Sequence, residues 1–196
     1  MFLRHRPSPL EVEAFIAASR QLPLSYEPVG LAKQDRAGFR IDEQEVVIGH
    51  GEEAFVRAKV ALTEWRHFEL GWVQVFPASA SVAPGTVVAV LVRHLGFWSM
   101  NGCRVVYSIA GGGPAEFGFA YGTLTNHAES GEEIFKVSLH PGTGNVTYLI
   151  RAASKPRAVL AMLGYPVTRS LQARFRRDSA AAIARAIGGG QNTRTP

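Results

Sequence analysis

The chain has 196 residues, 46% hydrophobic and 19% charged, with one cysteine and a formal net charge of +5. This length suits one domain with a sizeable core, and the composition is that of an ordinary globular chain. The lone Cys103 excludes an internal disulfide, Met1 to Pro7 lacks an apolar leader, and Val87 to Val92, the longest apolar run, cannot span a bilayer as a helix. These features predict a cytoplasmic protein without a membrane span.

Ser8 to Leu22 reads as a helix, with Ser8 as cap, Pro9 at its first position, and Glu11 and Glu13 at the positive end of the dipole. Leu10, Ala14, Ile16 and Ala17 are its expected apolar side. After an aperiodic connection punctuated by Pro23, Pro28, Gly30 and Gly38, Glu45 to Ile48 reads as a short strand. Gly49-His50-Gly51-Glu52-Glu53-Ala54 formally matches a dinucleotide fingerprint. Glu52 and Glu53 would repel phosphate there, and no further strand–helix units follow, so no nucleotide is expected. From Glu52 to about Arg66 a helix places Phe55, Ala58, Leu62 and Trp65 on one side.

Six strand-like runs follow, at about 68–76, 86–95, 103–110, 115–124, 132–140 and 145–153. The breaks between them are short and rich in Gly, Pro and Asn, as at Gly111–Gly113, so neighbouring strands are expected to run antiparallel. A short helix is expected between Pro156 and Gly164. A last one starts at Pro166, with Val167, Leu171, Phe175, Ile183 and Ile187 facing the sheet and Arg169, Arg176, Arg177 and Asp178 elsewhere. Residues 1–150 carry 12 Lys/Arg against 15 Asp/Glu, and residues 151–196 carry 9 against one, so the basic charge is concentrated in the last segment. That pattern suits a solvated helix face better than a specific nucleic-acid contact. The order predicts one domain over 1–190 with a disordered tail over 191–196. Its fold class is α+β, a curled antiparallel sheet of six to seven strands gripped by a long C-terminal helix, with an extra N-terminal helix. A lipocalin-like barrel with a helix alongside is the alternative.

Gly122-Thr123-Leu124, His127 and Gly131-Glu132-Glu133 with Phe135 resemble the core signature of the DUF1990 family. Ala61-Leu62 with Trp65, Phe68 and Gly71-Trp72 is similar to its first motif, and Ser154-Lys155-Pro156 with Leu171-Gln172 and Phe175 to its last. The resemblance runs from about residue 24 to residue 183. The element order itself resembles the START-like, or helix-grip, fold, in which sheet and helix enclose a cavity. That fold usually has a helix pair between its first two strands, where only one helix is evident here.

Phe117, Phe119 and Tyr121 alternate with Gly118, Ala120 and Gly122, giving one aromatic and one bare strand face. A pocket lined by Trp72, Trp98, Met100, Arg104, Phe117, Phe119, Tyr121 and Thr123 would suit an apolar small molecule such as a lipid or isoprenoid. An enzyme would use His127 as acid or base, Glu132 or Glu133 to orient it, and Tyr121 as a donor. An interaction protein would dock an acidic partner on its basic last helix. Neither a metal nor a cofactor is expected, since the spacing of His127, Glu129, Glu132 and Glu133 fits no standard site. Strand alternation allows only one of Glu132 and Glu133 to face inward, and a buried carboxylate there must be hydrogen-bonded, with Tyr121, Thr123, His127 and Arg104 as candidate partners.

Overall fold

The computed structural model describes residues 2–110, 115–156 and 165–188. In chain order these form β1 (Phe2–Leu3), α1 (Pro9–Ser19), β2 (Arg40–His50), α2 (Glu52–Thr63), β3 (Val73–Phe76) and β4 (Val87–His94). They continue with β5 (Phe97–Ala110), β6 (Glu116–Thr123), β7 (Glu129–Leu139), β8 (Asn145–Pro156) and α3 (Tyr165–Gly188). The Gly111–Gly113 hairpin, the short helix before Gly164 and the 191–196 tail lie outside the described residues.

All strand pairs are antiparallel. The order is β2-β8-β7-β6-β5-β4-β3, with β1 joining β5 off that path. Consecutive hairpins build β3 to β8, as the turn chemistry predicts, and β2 closes the far edge against β8. The sheet curls into a half-barrel whose hollow receives α2 and α3, so the fold is the START-like helix grip. The second helix of the usual pair is reduced to a single 3-10 turn, Arg66–Phe68, entered through Trp65 at φ 57°. That turn shortens the strand expected from residue 68, which starts only at Val73.

Two strands are longer than their sequence patterns suggest. β2 spans eleven residues because Asp42 and Gln44 interrupt its apolar pattern without interrupting its pairing with β8. β5 begins at Phe97, since only Leu95-Gly96 form the turn. Gly102 sits inside it because a Cβ there would collide with the Asn126 side chain.

The Ser8 side chain accepts from the Glu11 N–H at 3.3 Å while Glu11 Oε2 accepts from the Ser8 N–H at 2.7 Å, closing a capping box on α1. The buried side of α1 is Val12, Ile16 and Ser19; of the expected stripe only Ile16 is buried, and Leu10 is 77% exposed. This helix lies on the convex face, over Ala89, Leu91 and Met100.

The main core fills the concave side. Phe55, Ala58 and Leu62 of α2 and Trp65 meet Cys103, Val105, Phe119, Phe135, Tyr148 and Ile150 from the sheet and Ile183 and Ile187 from α3. His67 is enclosed within this core, its ring 4.7 Å from Phe68 and Phe135 and stacked at 5.7 Å on Trp65. Neither ring nitrogen has a hydrogen-bond partner, and burial pulls its pKa down to about 3, so it is neutral.

Candidate functional site

Between the concave face and α3 lies a cavity of about 540 Å³. Phe68, Trp72, Val73, Val90 and Val92 form its apolar wall, with Leu171 and Phe175 projecting from α3. Tyr121, Thr123, His127, Glu129 and Glu133 gather at the end where β6 turns into β7, joined by Gln172 and Arg176 from α3.

Tyr121 and Glu133 are cross-strand partners, so their side chains leave the same face side by side. Tyr121 Oη donates to Glu133 Oε2 at 2.8 Å. Burial pushes the Glu133 carboxyl up to about 7; the Tyr121 hydrogen bond pulls the other way, and the Glu129 charge adds to the rise. Burial likewise raises Glu129, which Gln172 Nε2 partly offsets by donating to both its oxygens at 3.0 and 2.9 Å. The Tyr121 phenol is held far above its ordinary value by burial and by the Glu133 charge, so it remains a donor. His127 Nδ1 accepts the Glu129 N–H at 3.0 Å. Arg169 makes a two-pronged contact with Asp42 of β2, and Arg176 stands 3.7 Å from the same carboxylate. The Arg169 bond holds the Asp42 carboxyl below the usual range.

The structure brings Trp72, Tyr121, Thr123, His127 and Glu133 together at this cavity. Trp72 also donates from Nε1 to Asp178 at 2.9 Å, with the Arg174 guanidinium 4.5 Å from its ring. Phe117 and Phe119 share the concave face but belong to the core beneath, Phe119 packing edge-on at 4.8 Å from Trp65. Trp98, Met100 and Arg104 are corrected to the convex face, because Ser99, Asn101 and Cys103 occupy the inward positions of β5. Met100 and Trp98 pack beneath α1, and Arg104 donates to the carbonyls of Arg20 and Leu22 at 3.0 and 2.9 Å.

Glu132 also borders the cavity, but its carboxylate turns to the convex side. Its carboxylate accepts from Tyr26 Oη and Tyr107 Oη, both at 2.7 Å, and from the N–H groups of Gly30 and Ala32. It anchors the connection before β2 to the back of the sheet. The bare face of β6 serves this packing, since a Cβ on Gly122 would collide with the Tyr26 ring. Both glutamates are thus engaged, one on each face, and the inward one is bound by Tyr121 as the alternation argument requires.

Sequence reasoning gave no binding role to Asp42, Gln172 or Arg176. Arg169, Gln172 and Arg176 recur at helical spacing on one helix face, and Arg169 and Arg176 meet Asp42 of the sheet from it. Among the described residues no cluster of His, Cys, Asp and Glu is arranged to hold a metal, and no helix is long and apolar enough to cross a membrane. A larger hollow of about 910 Å³ lies by α1 and β4, bordered by Glu13, Arg20 and Arg104. The Arg104 guanidinium there is bonded to backbone carbonyls, and among the described residues no buried acid lines the hollow.

The model of the family described as "Domain of unknown function (DUF1990)" matches residues 25–182. The chain belongs to the DUF1990 family. A UPF0548 protein of Dictyostelium discoideum is 33% identical, covering 99% of both chains. One from Arabidopsis thaliana is 38% identical over 76% of this chain and 74% of its own length. The Tyr121–Glu133 pair of this DUF1990 chain therefore lies within the matched region. Among solved structures, Ara h 8.0201 aligns with a TM-score of 0.52 at 16% identity, covering 78% of this chain and all of that one. TTHA0849 from Thermus thermophilus aligns at 0.51 and 8% identity, covering 79% of this chain and 99% of that one. At such identities the likeness is one of fold.

Proposed function

We propose that this DUF1990 chain binds a small amphipathic molecule of lipid or isoprenoid character. Its apolar body lies between Trp72, Val90, Leu171 and Phe175, and its polar end meets Tyr121 and Glu133. The observation that carries this reading is the 540 Å³ cavity with apolar walls and polar groups converging at one end. At about 30 Å³ per water-sized group, that space takes on the order of 15–20 non-hydrogen atoms. A second reading, catalysis on the bound molecule, is favoured by the Glu133 carboxyl sitting near 7 beside a phenol donor. In that reading Glu133 is the acid–base group, since the Nδ1 lone pair of His127 already accepts a backbone N–H. Docking of an acidic partner through α3 is the weaker reading, because Arg169, Arg174 and Arg176 already face Asp42 and Asp178.

The test is a fluorescence titration with the neutral apolar dye Nile red. Ala152 lines the cavity, so Ala152→Phe fills part of it. The native chain should take up the dye saturably, and the variant should bind at least about tenfold more weakly while its circular dichroism spectrum is unchanged. Equal dye affinity in both proteins would overturn the reading.

A further inference from the structure

The charges around the cavity select among polar end groups. Glu133 and Glu129 receive side-chain hydrogen bonds only from neutral donors among the described residues, Tyr121 Oη and Gln172 Nε2. Tyr121 occupies Oε2 of Glu133, no hydrogen bond reaches Oε1 among the described residues, and Glu133 lines the cavity. Among the described residues, Arg169 bonds Asp42 and Gln172, Arg176 stands beside Asp42, and Arg40 reaches Asp42 from the rim with its side chain 59% exposed. A buried carboxylate without a directly bonded cation is costly unless protonated. Aromatic rings line the same cavity: Tyr121 is 6.1 Å from Phe68, and Phe68 is 5.0 Å from Phe175. A carboxylate and aromatic rings lining one cavity suit an ammonium group, by hydrogen bond to the first and ring attraction to the second.

Resting on the cavity reading above, we propose that the ligand of this DUF1990 protein is a chain-bearing amine, bound as its ammonium with an N–H donated to Glu133 Oε1. The groups facing Glu133 come from every surrounding element: Tyr121 of β6, Cys103 of β5, Tyr148 of β8, Glu129 of β7, Asp42 of β2 and Arg176 of α3. Of these only Arg176 is cationic, and it is shared with Asp42. A fatty acid would place its carboxylate against two others; an alcohol would bring no charge, so Glu133 would have to keep its proton. With no ligand bound, a proton on Glu133 supplies the balance, in keeping with a carboxyl near 7. An ammonium takes over that role and expels the proton to solvent, so binding is linked to proton release.

The test is isothermal titration at pH 7 with dodecylamine, dodecanol and dodecanoic acid, each below its aggregation threshold, in two buffers of different ionisation enthalpy. The amine should bind at least about tenfold tighter than the alcohol and tighter still than the acid. About half a proton should be released per amine bound, as expected where pH and pKa coincide near 7. In Glu133→Gln the amine-over-alcohol preference should fall to within about twofold, and the proton release should vanish. Alcohol or acid binding as tightly as the amine, or a preference that survives Glu133→Gln, overturns the head-group assignment and leaves the cavity reading standing. Failure of all three chains to bind overturns the cavity reading and this inference with it.

Discussion

Replacing Glu133 with Gln tests the electrostatics of the site through stability alone. Gln keeps the size and the acceptor for Tyr121 but mimics the protonated acid at every pH. The native carboxyl moves from its ordinary value of 4.5 to about 7 on folding. Because the folded pKa is raised, its contribution is fully present below 4.5 and is lost as pH rises through about 7. At roughly 1.4 kcal/mol per unit, the loss approaches about 3 kcal/mol. His67 acts in the opposite sense: its pKa falls to about 3 on folding, so its contribution is present above 6.5 and lost as pH falls through about 3. The two slopes oppose each other in the native protein, so the informative quantity is the difference between variant and native. Urea denaturation should find them nearly equal at pH 4 and the variant about 3 kcal/mol more stable at pH 8. With a slope of ~2 kcal/mol per molar, that is a midpoint shift of about 1.5 M. A constant difference across this range, or a variant less stable at pH 8, would refute the buried, uncompensated carboxylate.

Other substitutions probe the scaffold. Tyr26→Phe removes one of the donors on Glu132 and should cost about 1–3 kcal/mol in urea while leaving Nile red affinity unchanged; a matching loss of dye binding would tie the convex network to the cavity. Leu171→Ala removes a half-buried side chain that packs on the core and borders the cavity, so it should cost about 2 kcal/mol, the low end for such truncations. A loss below ~0.5 kcal/mol would mean that α3 does not grip the sheet. Asp42→Asn leaves Arg169 and Arg176 without their carboxylate and should lower stability by about 1–3 kcal/mol, an effect that shrinks as pH falls below the ordinary Asp value of 3.8, since the lowered carboxyl gives up its contribution only there.

The hairpin sequence β3 to β8 was legible because each break carries turn residues too short for a crossover. The tight β6–β7 turn also made Tyr121 one of four candidate partners for an inward glutamate, without choosing between Glu132 and Glu133. The phase of β5 was not legible. Reading Gly96 to Gly102 as a break discarded the alternation of Ser99, Asn101 and Cys103, which sends Trp98, Met100 and Arg104 outwards. Both faces of that strand are covered, one by the core and the other by α1, so apolar content alone does not distinguish them. Glu132 was ambiguous for a related reason. Its partners Tyr26, Gly30 and Ala32 lie about a hundred residues away, in a segment without periodicity. Arg169 and Arg176 looked solvated because their partner, Asp42, sits on the edge strand that the pattern understated.

The central claim is that the cavity under α3 holds the ligand. A crystal structure of the complex with dodecylamine tests it most directly. The account predicts the alkyl chain along Trp72, Val90, Leu171 and Phe175, with the nitrogen within about 3 Å of Glu133 Oε1, as a charge-assisted hydrogen bond requires. A chain seated instead in the hollow by α1 and β4, with the cavity under α3 unchanged, would contradict it.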